Sequence, residues 1–159
     1  MKRLFIEAKY KAKINLPEDL IKELPEEVAL FSSVQFIDNL AEVKEQLEKS
    51  GKKVLLFKPK HCFYEGQLLG CSVDEFPAKS FLYIGDGLFH PKALMIKNEV
   101  DVFSYNPFSK NYNKITDKDI EKIKKKIKGA ILKFMVSKNI GVLISTKQGQ
   151  YDFNSARLL

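Results

Sequence analysis

The chain is poor in the residues that mark specialised protein classes. It has only two cysteines, Cys62 and Cys71, nine positions apart, which is no basis for a disulfide framework. Glycine (8) and proline (6) are sparse, and neither an internal repeat nor a low-complexity segment is present. No apolar run approaches the roughly 18 residues that a membrane helix needs. The opening MKRLFIEAKYKAK has a three-residue apolar run before charge returns, which does not read as a signal peptide. These absences make a cytoplasmic protein without a membrane the default reading. What remains is an ordinary globular composition, 45% hydrophobic and 30% charged, over 159 residues. That length suits one domain with a core of its own.

Acidic residues are outnumbered, and the formal net charge is +7. A basic surface attracts acidic partners, nucleic acid among them. The densest run, Lys122 to Lys128, is interrupted by isoleucines at helical spacing, as on a solvated helix face. No nucleic-acid motif accompanies it, and nucleic acid is not an expected partner.

Short continuous apolar runs alternate with longer amphipathic ones. The runs at 4–6, 28–31, 54–57, 81–84, 100–103 and 142–144 mostly lack polar alternation, so they predict strands buried on both faces of a parallel sheet. Between them, 34–49, 88–97 and 117–138 predict helices. The last carries Ile120, Ile123, Ile127, Ile131 and Phe134 on one stripe, with Thr116 and Asp119 spaced as a capping box. The expected fold is α/β, a layered and mostly parallel sheet with helices on both faces. The segment Asp152 to Leu159 reads as a helix just starting, and the expectation from it is a truncated or split polypeptide.

Ligands of such sheets bind beyond the carboxyl ends of the strands. Three loops there carry unusual residues: KPKHCFYEGQLLGC (58–71), GDGLFHP (85–91) and STKQGQ (145–150). Gly85-Asp86-Gly87 before a helix could admit an anionic group to backbone amides, and is equally a tight turn. His90 could be a base or a ligand contact, against the plainer reading of a structural hydrogen-bonding residue. His61-Cys62-x8-Cys71 fits no zinc pattern, because a second ligand pair is missing.

Taken together, GQLLGC (66–71), FLYIGDGLFHP (81–91), YNPFS (105–109) and STKQGQ (145–150) resemble, in order and spacing, the diphthamide-synthesis family, the 2-(3-amino-3-carboxypropyl)histidine synthases. The likeness runs from about residue 3 to 155. The resemblance implies a radical enzyme in which a [4Fe–4S] cluster cleaves S-adenosylmethionine. The 3-amino-3-carboxypropyl group then passes to a histidine of translation elongation factor 2. It implies a cluster held by three cysteines, one from each of three similar domains, with Cys71 as the middle domain's ligand. Thiolate suits that role. Cys62 has no counterpart and reads as structural. Gly85, Asp86, Gly87, His90, Lys147 and Gln150 are then expected to line the substrate edge, although the family usually has Pro where Gln148 stands.

By the same resemblance, residues 1–138 correspond to the middle domain and 139–159 to the opening of a third. The chain is thus expected to be a partial or split synthase subunit, inactive alone, with another chain or a homo- or hetero-dimer supplying the rest. Two alternatives remain: a degenerate, non-catalytic accessory or binding protein of the family, or a small nucleotide-binding α/β domain.

Overall fold

The computed structural model describes residues 6–70, 73–146 and 151–157. They fall into two units, Met1–Thr116 and Asp117–Leu159.

The first unit opens with a short helix α1 (Glu18–Glu23), whose Leu20 is fully buried. Strand β1 (Glu27–Ser32) follows, then a 3-10 turn at Val34–Asn39 running into helix α2 (Leu40–Lys49). Strand β2 (Lys53–Leu55) and strand β3 (Ser80–Ile84) are separated by a long irregular segment. Helix α3 (Phe89–Asn98), strand β4 (Asp101–Asn106) and strand β5 (Asn111–Lys114) complete the unit. The strands lie in the order β2-β1-β3-β4-β5. The first four are mutually parallel, and β5 runs antiparallel to β4. All five residues of β3 are buried, as expected of a central strand covered on both faces.

Alternate residues of the strands supply two layers. On one face Val28, Leu30, Leu82, Ile84, Phe103 and Tyr105 pack with Leu40, Val43 and Leu47 of α2. On the other, Phe31 sits among Phe57, Phe76 and Phe81, with ring centroids 4.8–6.3 Å away. Helix α3 adjoins β3 and β4 and buries Pro91 and Leu94. It ends at Glu99, whose φ of 56° is left-handed.

The second unit contains helix α4 (Asp117–Val136) and a single turn α5 (Phe153–Ala156). At α5 the Asp152 carboxylate accepts from the Ser155 amide at 2.9 Å, the side-chain cap that an Asp supplies.

The parallel α/β fold and the helices near 34–49, 88–97 and 117–138 match expectation. Four details differ, the first being helix α1 (Glu18–Glu23), a six-residue segment for which the sequence predicts no element. Residues 142–144 form no strand, and Leu143 is fully exposed. An apolar triplet becomes a strand only beside a partner, and no described strand pairs with it. Strand β5, read from sequence as loop, arises because the free edge of β4 recruits it. The run at 4–6 lies largely outside the described residues, and Ile6 is exposed and irregular.

Candidate functional site

The strand order reverses direction between β1 and β3. From β1 the chain moves to β2 on one side, then returns to β3 and β4 on the other. Crevices at such a switch point, beyond the carboxyl ends of the strands, are where open α/β sheets bind ligands. The ends in question are Ser32 and Ile84.

The segment ending at Gly70 comes to the first of these ends. The Ser32 amide donates to Gly66 O at 2.7 Å, and the Leu68 amide donates to Ser32 O at 2.8 Å. Ser32 and Gln67 thereby form an isolated parallel bridge. Gln67 is buried, and its Oε1 accepts from the amides of Phe63 and Tyr64, which folds the preceding loop over itself. At Gly70 the position that a Cβ would occupy lies 2.9 Å from Phe89 Cε1. The loop that leads to Cys71 therefore abuts the start of α3. Cys71 itself, Lys147 and Gln150 lie outside the described residues.

The second end carries Gly85-Asp86-Gly87. Gly85 is required by space: an added Cβ would lie 2.6 Å from Tyr83 Cε1 and 2.9 Å from its hydroxyl. Gly87 is required by conformation, with φ of 77° and open space around it. Tyr83 is buried, stacks on His90 and is hydrogen-bonded to His90 Nδ1 at 3.1 Å. Burial pushes the Tyr83 hydroxyl up to about 12, a shift that the Ser33 side chain partly offsets. Burial also holds the His90 imidazole below its ordinary value, which favours the neutral ring. His90 thus has a structural partner, as the plainer reading of the sequence had it.

Asp86 reaches toward β4. Its Oδ1 accepts from Asn106 Nδ2 at 2.8 Å, while Asn106 Oδ1 accepts from the amides of Phe108 (2.9 Å) and Ser109 (3.3 Å). Asn106 so ties the Gly-Asp-Gly turn to the β4–β5 turn. Between the two turns is a cavity of about 230 Å³, lined by Gly85, Asp86, Gly87 and Leu88 on one side. Ser104, Asn106, Ser109, Asn111 and Asn113 form the other. The polar half of this lining was missed in the sequence. Its signal was the period-two spacing of Ser104 with Asn106 and of Asn111 with Asn113, which a hairpin would set side by side.

The fold agrees with the comparisons to known proteins. The family model described as "Putative diphthamide synthesis protein" matches residues 1–159. The chain belongs to the diphthamide-synthesis family. It is similar to the 2-(3-amino-3-carboxypropyl)histidine synthase of Pyrococcus horikoshii, 33% identical over 86% of this chain and 40% of that protein. It is similar also to the synthase of Methanocaldococcus jannaschii, 36% identical over 70% of this chain and 36% of that protein. Among solved structures, it superposes on the crystal structure of Dph2 from Pyrococcus horikoshii with a 4Fe-4S cluster. The TM-score there is 0.76 at 31% identity, covering 88% of this chain and 42% of the other. The chain thus spans about 40% of the length of these relatives.

An iron–sulfur cluster needs several thiolates. Among the described residues no three His, Cys, Asp or Glu side chains are grouped to hold a metal. Cys62 is buried and outside any disulfide. The described residues therefore do not form a cluster site by themselves, and Cys71 would bring one thiolate. No described helix is long and apolar enough to cross a membrane.

Proposed function

We propose that this chain is part of a 2-(3-amino-3-carboxypropyl)histidine synthase, in which Cys71 is one ligand of a [4Fe–4S] cluster completed by cysteines from outside the chain. In this reading the assembled enzyme moves a 3-amino-3-carboxypropyl group from S-adenosylmethionine to a histidine of translation elongation factor 2, in the cytoplasm. The observation that carries the proposal is the family match along the whole chain, joined to the meeting of two motif loops at the switch point. Gly70, next to Cys71, touches the helix that opens from Gly85-Asp86-Gly87.

The test is anaerobic reconstitution with iron and sulfide, with the chain mixed with polypeptides that carry the remainder of the relatives' length. The expected result is a brown cluster in the mixture only, with iron content reduced when Cys71→Ala replaces the parent chain. Unchanged iron content in that variant refutes the ligand assignment. A stable mixture that binds elongation factor 2 without ever forming a cluster points instead to a non-catalytic accessory member of the family.

A further inference from the structure

The β4–β5 hairpin borders a second recess, on the other face of the sheet. Alternate residues of a strand point to opposite faces, so Tyr105 turns away from Ser104 and Asn106 and joins the core layer of α2. There it lines a cavity of about 150 Å³. The chain before α1 supplies Tyr10, Lys13, Ile14 and Asn15, and the hairpin turn supplies Pro107 and Lys110. Residues 10–16 form neither helix nor strand, so their backbone groups need partners from elsewhere. The Tyr10 amide donates to Gln35 O at 2.7 Å, Asn39 Nδ2 to Ala12 O at 2.9 Å and Gln46 Nε2 to Ile14 O at 2.6 Å. The Tyr105 hydroxyl donates to Asn15 O at 3.1 Å. Burial, and then the nearby Tyr10, hold that hydroxyl above its ordinary value, so it keeps the proton it donates. Ile14 is buried in this pinned segment, while its neighbours Lys13 and Asn15 are exposed. The opposite wall departs from local preference. Lys110 has φ of 58°, a left-handed position that glycine takes at no steric cost, and a bulky side chain kept there points to a use for it.

Charge decides the class of ligand. No Asp or Glu lines the cavity, and neither Lys13 nor Lys110 is ion-paired with a described carboxylate. Two larger recesses differ in this respect: their lysines meet glutamates of the same recess, Lys22 with Glu18 in one and Lys53 with Glu27 in the other. Two ammonium groups at one small recess repel each other, and an anion between them reverses the sign of that energy. Lysine binds phosphate as a point charge, without the planar fork by which arginine favours carboxylates. A phosphate monoester carries about −1.5 to −2 charge at pH 7, which matches two cations, whereas a carboxylate or a phosphodiester carries a single charge. A nucleic-acid strand is held by a charged groove that tracks many phosphates, which two lysines at one recess do not make. The volume falls below the roughly 300–1,000 Å³ of pockets for whole drug-sized molecules, so the recess takes one charged group.

We infer that this recess binds a phosphate monoester group, or phosphate itself, between the ammonium groups of Lys13 and Lys110, with Tyr10 and Asn15 as neutral donors. Tyr105 is a positioning residue, because its hydrogen bond to Asn15 O fixes the segment that carries Lys13. The site lies apart from the Gly85-Asp86-Gly87 cavity and does not depend on the synthase reading.

The experiment follows the backbone amides of Lys13, Asn15 and Lys110 and the Asn15 side-chain amide by NMR in the full chain, at constant ionic strength. The probes are inorganic phosphate, methyl phosphate, dimethyl phosphate, acetate and a short single-stranded RNA. Inorganic and methyl phosphate should shift these signals together and leave the side-chain amides of Asn106 and Asn113, on the other face of the hairpin, in place. Dimethyl phosphate and acetate should bind at least about threefold more weakly, as one charge fewer implies. Lys13→Gln and Lys110→Gln should each weaken phosphate by about threefold or more, while Lys60→Gln, which removes an exposed lysine outside the cavity, should leave it unchanged. Lys110→Gly should weaken phosphate as Lys110→Gln does and yet raise the urea midpoint, because it relieves the left-handed position. The inference is overturned if phosphate shifts none of these signals, if dimethyl phosphate or acetate binds as tightly, if Lys60→Gln weakens phosphate as much as Lys13→Gln does, or if Lys110→Gly binds phosphate as the parent does. Displacement of methyl phosphate by far lower concentrations of the RNA would overturn it too, and would make the recess part of a nucleic-acid surface. None of these readouts involves cluster formation, so their failure leaves the synthase reading standing.

Discussion

Replacing Gly85 by alanine tests the geometry of the site more directly than any loss of a polar group. The added methyl would lie 2.6 Å from Tyr83 Cε1 and 2.9 Å from both Cζ and the hydroxyl. Tyr83 has little room to retreat: it is 1% exposed, lies in the central strand and stacks on His90 with centroids 5.4 Å apart. Overpacking of this kind costs about 1–3 kcal/mol. Displacing the ring also breaks the hydrogen bond to His90, worth about 1 kcal/mol. The expected loss is therefore about 2–4 kcal/mol. Gly87→Ala is the control. There the cost is conformational alone, about 1–2 kcal/mol, because φ is 77° and no atom approaches. Urea unfolding followed by near-ultraviolet circular dichroism suits both variants, since the chain has no tryptophan to obscure its tyrosines. Equal midpoint shifts for the two, or a larger one for Gly87→Ala, would refute the claim that Gly85 is selected by space.

Two further outcomes follow from the same core. Burial holds His90 below its ordinary value, so the unfolded chain takes up a proton at about pH 6.5 more readily than the fold does. Its contribution to stability is then complete above that pH and lost as pH falls; melting temperatures between about pH 7.5 and 5 should decline more steeply for the parent than for His90→Gln, and parallel curves would contradict this. Phe31→Ala removes the ring shared by Phe57, Phe76 and Phe81 and should cost about 3–5 kcal/mol in urea unfolding; a loss under about 1 kcal/mol would mean that the four rings do not pack as one cluster.

Strands β1 and β3 were legible because each holds a continuous apolar run, and burial on both faces is what such a run encodes, while β4 was legible only from its Val102-Phe103 pair. Helix α4 was legible through the 3.6-residue period of its stripe, although among the described residues Ile120 is buried while Ile123, Ile127, Ile131 and Phe134 are exposed. Strand β5 was not, because Asn111-Tyr112-Asn113-Lys114 has little β character of its own and is a strand by virtue of the β4 edge. Its asparagines therefore read as loop, and the polar wall of the cavity went unseen. The triplet 142–144 shows the converse: apolar residues predict a strand, but pairing is a property of neighbours.

The approach of Gly70 to α3 follows from topology rather than from any local motif. Its loop leaves β2, an edge strand, so sequence order alone would place it far from the Gly85 turn. The next strand, β3, lies on the opposite side of β1, and the chain must cross the end of β1 to reach it. That crossing is the Gly66–Leu68 segment, pinned by two backbone hydrogen bonds to Ser32. The residues just after it then have to arrive at the switch point, beside the helix that β3 launches. A cysteine that looked inert as an isolated residue is thereby preceded by a glycine in contact with the candidate site, and the strand order is the physical reason.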